Sequence, residues 1–250
     1  MKASRLDSIE EYILEHGSVS LPELSTVFQV SMNTIRRDMS ELVQRGKVKK
    51  VYGGVTINGP SVTPLSFREN TYSKEKEWIG KLAASLVHDG DTIYLDSGTT
   101  TPCILRCLES MQSLTVISHN LRALEEASKN KGLHLIAVGG EYSYRTGDFS
   151  GLASSSDTLN RYHISKAFMS ATAVSVKYGL SSISFLEAEI KRLIVEASDS
   201  VVLMCDHSKF LRNAVISFCD LDQLEAIVTD QDPGEDIRKF CAEKNIQLLY

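Results

Sequence analysis

The chain lacks several features that would place it outside the ordinary soluble proteins. No run of apolar residues approaches the roughly 20 needed to cross a bilayer. The first residues turn acidic at Asp7 and contain no apolar stretch of the secretory type. The five cysteines are odd in number and do not suggest a disulfide framework. These absences predict a cytoplasmic protein with no membrane partner.

Metal-binding patterns are also missing. Cys103 and Cys107 stand four residues apart and could share a helix face, but no histidine or further cysteine nearby completes a metal site. We therefore expect both cysteines to be small buried hydrophobes, and we expect neither a metal ion nor another cofactor.

Net charge alone argues against a nucleic-acid partner, because it is -5. Its distribution changes the argument. Residues 1–55 hold eight Lys/Arg and seven Asp/Glu, whereas residues 56–250 hold 19 and 25. Residues 33–50 contain six basic and two acidic side chains. Such a basic stripe is typical of a small DNA-binding module on an acidic body, and on charge alone it is equally typical of a solvated helix face.

The front of the chain carries the periodicity of three helices. Apolar spacing predicts helices near 4–16 and 20–27, and a third that Ser31 caps and Gly46 ends. The inward positions of the third helix are Ile35, Met39, Leu42 and Val43. Two short helices, a tight turn and a third helix are the pattern of a helix-turn-helix.

The outward face of the third predicted helix carries groups that suit DNA. Asn33 can pair with adenine edges, and Arg36 and Arg37 can pair with guanine edges or phosphates. The hydroxyls of Ser31 and Thr34 can hydrogen-bond phosphate oxygens.

Residues 47–54 alternate apolar and basic side chains and end in two glycines. This pattern predicts a short β-hairpin, or wing, that places Lys47, Lys49 and Lys50 for contacts with the DNA backbone.

The run Val-Ser-x-x-Thr-Ile-Arg-Arg-Asp at residues 30–38, followed by the Gly-Gly wing, resembles the winged helix-turn-helix of DeoR-type bacterial transcriptional regulators. Lys49 stands where that family often has Arg, and Tyr52 where it often has His. Both keep a polar or basic group at the wing, so the resemblance implies DNA contacts there, Tyr52 included.

Residues 58–64 contain one glycine and two prolines and predict an extended connection. We therefore predict a DNA-binding domain over 1–57, a linker over 58–73 and a second domain over 74–250.

The second domain alternates strand-like and helical segments. The predicted strands are 92–96, 114–118, 133–138, 166–170, 201–205, 226–229 and 246–250. The predicted helices lie near 101–110, 120–129, 149–160, 185–198 and 234–243. This alternation predicts an α/β fold with a mostly parallel sheet covered on both faces, whose ligands bind beyond the carboxyl ends of the strands.

The segment Asp96-Ser97-Gly98-Thr99-Thr100-Thr101 follows one of these strands and precedes a helix. Gly98 lets the backbone approach a ligand closely, and the N–H groups at a helix start favour phosphate. The same residues also suit a simple N-capping turn. No lysine follows the glycine, so the loop is not of the Walker A type.

Residues 76–101, 114–120, 138–140 and 205–210 resemble the DeoR-type sensor domain. That resemblance implies a fold related to ribose-5-phosphate isomerase and CoA transferases, and a phosphorylated sugar as effector. By resemblance, Asp96–Thr101 would hold the phosphate. The other implied effector-binding residues are Asn120, Gly140, Arg145, Lys191 and Lys209. The sequence departs from the family at 171–180, where Ala171 and Ala173 replace glycines and no carboxylate occurs.

Two functions of different classes fit these residues. The first is a homo-oligomeric repressor of a carbohydrate operon that binds double-stranded operator DNA and responds to a phosphorylated sugar. The second is a sugar-phosphate isomerase with an appended DNA-binding module, in which Glu187 would be the base and Lys191 or Lys209 the electrophile. Glu187 and Lys191 also have the i,i+4 spacing of a surface ion pair.

Overall fold

The computed structural model describes residues 5–6, 8–10, 12–13, 18–51, 54–57, 65–159 and 161–250. The chain divides into two compact units, Met1–Thr71 and Tyr72–Tyr250. The predicted extended segment, residues 58–64, lies outside the described residues. Within the predicted linker, Leu65–Asn70 forms a helix, α3.

The first unit contains the predicted helix-turn-helix. The described residues between 5 and 13 are helical, α1 spans Leu21–Val27 and α2 spans Met32–Gln44. Ser31 caps α2 because its side chain accepts a hydrogen bond from the backbone N–H of Thr34. The chain leaves this helix through Gly46, whose φ of +70° suits glycine.

A three-stranded antiparallel sheet completes the unit. Its strands are β1 (Ser18–Val19), β2 (Val48–Val51) and β3 (Gly54–Ile57), in the order β1-β3-β2. The hairpin therefore extends beyond the predicted 47–54, and β1 was not predicted. A side chain at position 54 would place its Cβ 2.2 Å from the carbonyl oxygen of Val19, so glycine permits the close pairing with β1.

The core of the first unit joins all these elements. Its buried residues are Leu6, Ile9, Ile13, Val19, Leu24, Ile35, Met39, Leu42, Val48 and Val55. Three of the four predicted inward residues of α2 are buried, and Val43 packs against them half-buried.

The second unit is built on a seven-stranded parallel sheet, and all seven predicted strands belong to it. They are β4 (Thr92–Leu95), β5 (Thr115–Ser118), β6 (His134–Ala137), β9 (Lys166–Met169), β12 (Val201–Met204), β14 (Ala226–Val228) and β15 (Gln247–Leu249). The strand order is β15-β14-β12-β9-β4-β5-β6.

This order contains a topological switch point. From β4 the chain first adds β5 and β6 on one side, and then returns to add β9 and the remaining strands on the other. In open α/β sheets the crevice beyond the carboxyl ends of the two strands at such a point is the usual ligand site. Here those strands are β4 and β9, so the residues that follow them are the first candidates for a ligand site.

Helices cover both faces of the sheet. On one face lie α4 (Ser73–Ala84), the 3₁₀ helix Thr101–Cys107 and α5 (Leu121–Ala127), which pack with Ile93 and Leu95. On the other face α6 (Leu152–Leu159), α7 (Phe185–Glu196) and α8 (Glu235–Lys244) contribute to a second core that contains Tyr94, Ala167 and Met169. Ile93 and Leu95 face one core and Tyr94 faces the other, because successive side chains of a strand point to opposite faces of the sheet.

In the described part of this unit, five further strands form two smaller sheets outside the seven-stranded sheet, and the sequence did not predict them. They are the hairpin β7 (Glu141–Ser143) and β8 (Asp148–Ser150), and a sheet of β10 (Ala173–Ser175), β11 (Gly179–Ser182) and β13 (Ile216–Cys219). The predicted helix 149–160 is therefore wrong at its start, where β8 occupies Asp148–Ser150. Ala171 and Ala173, the residues that depart from the family pattern, are both buried.

The segment predicted as a helix over 101–110 is a 3₁₀ helix that ends at Cys107. The cysteine prediction is consequently wrong for that pair, because Cys103 is only partly buried and Cys107 is exposed. A 3₁₀ helix has three residues per turn, so residues four apart do not share a face.

No helix among the described residues is long and apolar enough to cross a membrane.

Candidate functional site

The outward face of α2 is a polar, basic surface. Asn33, Arg36 and Arg37 are exposed, whereas Ile35 and Met39 of the same helix are buried. Residues three and four apart on an α-helix lie side by side, so the three polar side chains form one patch. Their positions match the predicted DNA-reading face.

Ser31 and Thr34 are engaged with each other. The oxygen of Ser31 accepts from the backbone N–H of Thr34 at 3.2 Å and lies 2.9 Å from the hydroxyl of Thr34. Ser31 therefore holds the start of α2, and one of the two hydroxyl hydrogens lies in the Ser31–Thr34 contact, which leaves the other to donate.

The wing exposes Lys49 and Lys50 on β2. Lys47 is also exposed, but its ammonium lies 3.1 Å from a carboxylate oxygen of Glu10. Tyr52, the fourth residue predicted there, lies outside the described residues.

A buried carboxylate, which the sequence argument did not single out, supports α2. The guanidinium of Arg5 donates to both carboxylate oxygens of Asp38, at 2.9 and 3.2 Å, and Asp38 is fully buried. Asp38 follows Arg37 directly, so this pair fixes the rotation of the helix that carries the exposed patch. The only feature of the sequence that could have indicated this buried pair is that Asp38 is an acidic residue within a basic stretch.

In the second unit, the loop after β4 turns sharply at Gly98, whose φ is +106°. Among the described residues, no acceptor receives the backbone N–H of Gly98 or Thr100. Ser97 and Thr100 are nearly buried, while Gly98 and Thr99 reach the surface in part. The loop therefore keeps two backbone donors without an acceptor among the described residues, as an anion site requires.

Asp96 does not add to those donors. Its side chain is fully buried, and one carboxylate oxygen accepts from the backbone N–H of Ser170 at 2.8 Å and from its hydroxyl at 3.2 Å. The same oxygen is paired with the ammonium of Lys191. Asp96 thus joins the end of β4 to the end of β9 across the switch point. Its carboxylate supports the loop and is not exposed to a ligand.

Lys191 is the centre of this cluster. Its ammonium, 1% exposed, lies 3.3 Å from the hydroxyl of Ser97, 3.2 Å from the carbonyl of Ser170 and 3.5 Å from a carboxylate oxygen of Glu187. Burial lowers the pKa of Lys191, but the charges of Asp96 and Glu187 outweigh burial, so the pKa is raised. Lys191 is therefore a buried cation, and the expectation of a mere surface pair with Glu187 is wrong.

Asn120 holds the loop from the neighbouring strand. Its side-chain N–H groups donate to the carbonyls of Asp96 (3.1 Å) and Gly98 (2.9 Å), and its oxygen caps α5 by accepting from Arg122 at 3.1 Å. The hydroxyl of Thr101 adds a 2.7 Å bond to the Asp96 carbonyl. Both side chains shape the loop from within the protein.

Behind the loop lies a second layer of titratable groups. The hydroxyl of Tyr94 is 2.5 Å from Nδ1 of His119. Burial, with the charges of Asp96 and Asp148, raises the pKa of Tyr94 well above its ordinary value. Burial lowers the pKa of His119, although the same two carboxylates oppose that change. His119 is therefore a neutral ring at pH 7.

The other three predicted effector residues lie on separate segments near the same sheet edge. Gly140 precedes β7, and a Cβ there would lie 2.4 Å from the carbonyl oxygen of Ser150. Arg145 is exposed in the turn of the β7–β8 hairpin. Lys209 is half-buried in the 3₁₀ helix His207–Lys209, which follows β12. Hydrogen bonds thus link Asp96, Ser97, Gly98, Thr101, Asn120 and Lys191.

Ser170 is the main residue of this site that the sequence argument missed. It ends the predicted strand 166–170, and only the strand order reveals that it faces Asp96.

Comparison with known protein families matches two domain models to the chain. Residues 5–61 match the model of the DeoR-like helix-turn-helix domain, and residues 71–231 match that of the DeoR C-terminal sensor domain.

The chain belongs to the DeoR family.

Curated relatives span almost the whole DeoR-family chain. It is 40% identical to the HTH-type transcriptional regulator IolR of Bacillus subtilis over 249 residues, which cover 99% of each protein. It is 30% identical to the glycerol-3-phosphate regulon repressor of Escherichia coli over 248 residues, 99% of this chain and 98% of that one. Among solved structures, ribose 5-phosphate isomerase A of Methanocaldococcus jannaschii matches 56% of each chain at 19% identity, with a TM-score of 0.42.

These matches confirm the predicted family and the predicted architecture, a winged helix-turn-helix followed by an α/β sensor domain. The DeoR-family chain is therefore a DNA-binding transcriptional regulator.

Proposed function

We propose that this regulator represses a carbohydrate-related operon, and that a phosphorylated sugar changes its affinity for operator DNA. The support from relatives is that one 30% identical protein is named a repressor of the glycerol-3-phosphate regulon. The observation that carries the proposal is the loop Ser97–Thr101 at the switch point of the sensor sheet, in which the backbone N–H groups of Gly98 and Thr100 have no acceptor among the described residues.

The DNA-binding half rests on the exposed patch of Asn33, Arg36 and Arg37. In this proposal Asn33 would pair with adenine, and the two arginines with guanine edges or phosphates. Lys49 and Lys50 of the wing add positive charge for the backbone, and we assign Lys47, Ser31, Thr34 and Tyr52 to the same interface.

The effector half divides the predicted residues by what surrounds them. Gly98, Thr99 and Thr100 would bind the phosphate through backbone N–H groups and hydroxyls. Arg145 and Lys209 would supply positive charge at the rim, beside Gly140. The carboxylate of Asp96 would repel a phosphate, so we assign the buried residues Asp96, Asn120 and Lys191 to holding the loop in shape.

A homo-oligomer follows from the DNA side of the proposal. Helix-turn-helix proteins generally bind two half-sites one turn of duplex apart, about 34–36 Å, with one recognition helix in each. A phosphate bound in the sensor domain can alter the affinity only if it favours one arrangement of the two recognition helices over the other.

The test has two arms. The purified protein first selects its own duplex from a random-sequence pool, which removes the need to know the operator. Binding to that duplex is then measured with inorganic phosphate, glycerol 3-phosphate and a set of hexose phosphates. We expect steep weakening by salt and a shift of affinity by at least one phosphorylated compound. Failure to select any duplex would contradict the DNA half, and a lack of response to every compound would contradict the effector half.

An isomerase remains the alternative because Glu187 and Lys191, a carboxylate and a cation, are 3.5 Å apart beside the loop. However, the other oxygen of Glu187 accepts from Ser182 at 2.7 Å, and Lys191 is buried against Asp96. Both groups are thus already bound within the protein. Turnover of the same sugar phosphates by the purified protein, without DNA selection, would favour the enzyme.

A further inference from the structure

Helix α4 and the residue before it, Tyr72, contact two of the segments that flank the proposed effector site. The helix begins at Ser73, directly after Tyr72, and Tyr72 is the first residue of the sensor unit. We propose that Tyr72 and α4 form the transmission element that carries a change at the phosphate loop to the point where the chain enters the sensor domain. This inference rests on the proposed function.

The first joint is the close approach of Gly80 to Cys103. A Cβ at position 80 would lie 2.6 Å from the carbonyl carbon of Cys103 and 2.7 Å from its oxygen. Only glycine therefore lets α4 lie directly against the backbone of the 3₁₀ helix Thr101–Cys107. Since that helix follows the phosphate loop without interruption, the loop cannot shift far without moving α4.

Further contacts tie the same two helices together. The guanidinium of Arg106 donates to a carboxylate oxygen of Glu77 at 3.0 Å. Ile79 and Ala83 of α4 share a buried core with Ile104 and Leu105. The thiol of Cys103 in turn lies 3.7 Å from the carbonyl of Thr99, inside the loop. The two helices should therefore move as one body.

The second joint is at the beginning of α4. The ring of Tyr72 packs edge-on against the ring of His207, with 4.8 Å between centroids. His207 is held by Asp230, which accepts from its backbone N–H at 2.7 Å and lies 2.7 Å from its ring nitrogen. His207 starts the 3₁₀ helix that contains Lys209.

The backbone at this joint is unusual. Tyr72 has a φ of +56°, a left-handed conformation that costs a non-glycine residue free energy and persists only where its surroundings enforce it. The ring contact with His207 is one such constraint. A displacement of either segment, that of Thr101–Cys107 or that of His207–Lys209, is therefore transmitted to the residue that adjoins the DNA-binding unit.

The experiment measures hydrogen exchange of the full chain with and without inorganic phosphate, while calorimetry measures binding of the same probe. We expect phosphate to change exchange in residues 73–84 by about fivefold or more, the lower end of typical coupling between sites. Residues 235–244, in α8 on the opposite face of the sheet, should not respond and serve as an internal control.

The variant Tyr72→Asn removes the ring while keeping a residue that tolerates positive φ. It should bind phosphate with the wild-type heat and keep the response of residues 77–84, which the contact of Gly80 with Cys103 carries, but lose most of the response at the start of α4, in residues 73–76. Tyr162→Asn is the matched control, because the two tyrosines are 38% and 39% exposed. Binding heat with unchanged exchange in wild-type 73–84 would refute the transmission role and leave the proposed function standing. A full response in Tyr72→Asn would refute the joint at Tyr72, and the absence of any binding heat would contradict the phosphate loop and this inference together.

Discussion

Lys191 and Asp96 are 95 residues apart in the chain, yet they form an ion pair in which the side chains are 1% and 0% exposed. The pair closes the switch point of the sheet, because Asp96 follows β4 while Lys191 reaches in from α7 and also contacts Ser170 after β9. A buried charge is tolerated only with its partner in place.

Removing one partner of this pair should be costly. Lys191→Met leaves the Asp96 carboxylate buried without its cation, and we expect a loss of about 3–5 kcal/mol in the free energy of unfolding. Lys239→Met is the control, because Lys239 pairs with Glu235 on the surface at 2.6 Å. That loss should be at most ~1 kcal/mol. Denaturant unfolding of both variants measures the two losses in the free energy of unfolding. Equal losses would mean that the buried pair contributes no more to stability than the surface pair.

The neutral state of His119 predicts how stability depends on pH. Burial lowers the pKa of His119 below its ordinary 6.5, so the unfolded chain binds a proton that the folded ring resists. The free energy of unfolding should therefore fall as the pH drops below about 6.5 towards the folded pKa. His119→Gln should show a smaller loss of stability between about pH 7 and 5 than the wild type. The same slope in His119→Gln as in the wild type would exclude His119 as its cause.

Gly98 offers a direct test of the loop. Ala at a φ of +106° is strained, and its Cβ would also lie 3.1 Å from the Ser170 hydroxyl. Gly98→Ala should weaken binding of inorganic phosphate by roughly tenfold, the equivalent of ~1.4 kcal/mol of strain. Gly90→Ala is the matched control, since Gly90 has a φ of +91° with open space around it. It should lose similar backbone stability but bind phosphate normally; titration calorimetry would show whether the two variants differ.

The Arg5–Asp38 pair should matter for DNA binding although neither residue is assigned to contact DNA. Asp38→Asn weakens the two hydrogen bonds that orient α2, so we expect faster hydrogen exchange in residues 32–44 and weaker binding to the selected duplex. Glu41→Gln is the control because Glu41 pairs with Arg45 nearer the surface, at 2.6 Å. If Asp38→Asn and Glu41→Gln weaken binding equally, the buried pair does not position the helix.

The sequence was sufficient to predict the seven sheet strands, since each is a run of apolar or β-branched residues next to a turn or helix start. It did not predict β7, β8, β10, β11 or β13, which each contain serine and pair with one another outside the parallel sheet. Strands of such mixed composition depend on the partners against which they pack, so local preference carries little signal.

The site shows the same division. The loop after β4 was predictable because glycine and hydroxyl residues between a strand and a helix by themselves indicate a tight turn and a helix cap. The partners of Asp96 were not, because Ser170 and Lys191 approach it only through the order in which β4 and β9 are placed. Glu187 and Lys191 have the spacing of a surface pair, and that spacing does not indicate that the side chain of Lys191 is buried.

The central claim is that the exposed patch of α2 binds duplex DNA, and one measurement tests it most directly. Binding to the selected duplex is compared for the wild type, Arg36→Ala, Arg37→Ala and the control Arg45→Ala, a basic residue of the same segment that lies off the patch and pairs with Glu41. We predict that each of the first two variants loses about 1–3 kcal/mol of binding free energy, the usual value of a good arginine–base contact, or lowers the salt slope by about one if it contacts phosphate. Arg45→Ala should bind as the wild type does. Wild-type affinity and salt slope in both Arg36→Ala and Arg37→Ala would contradict the account.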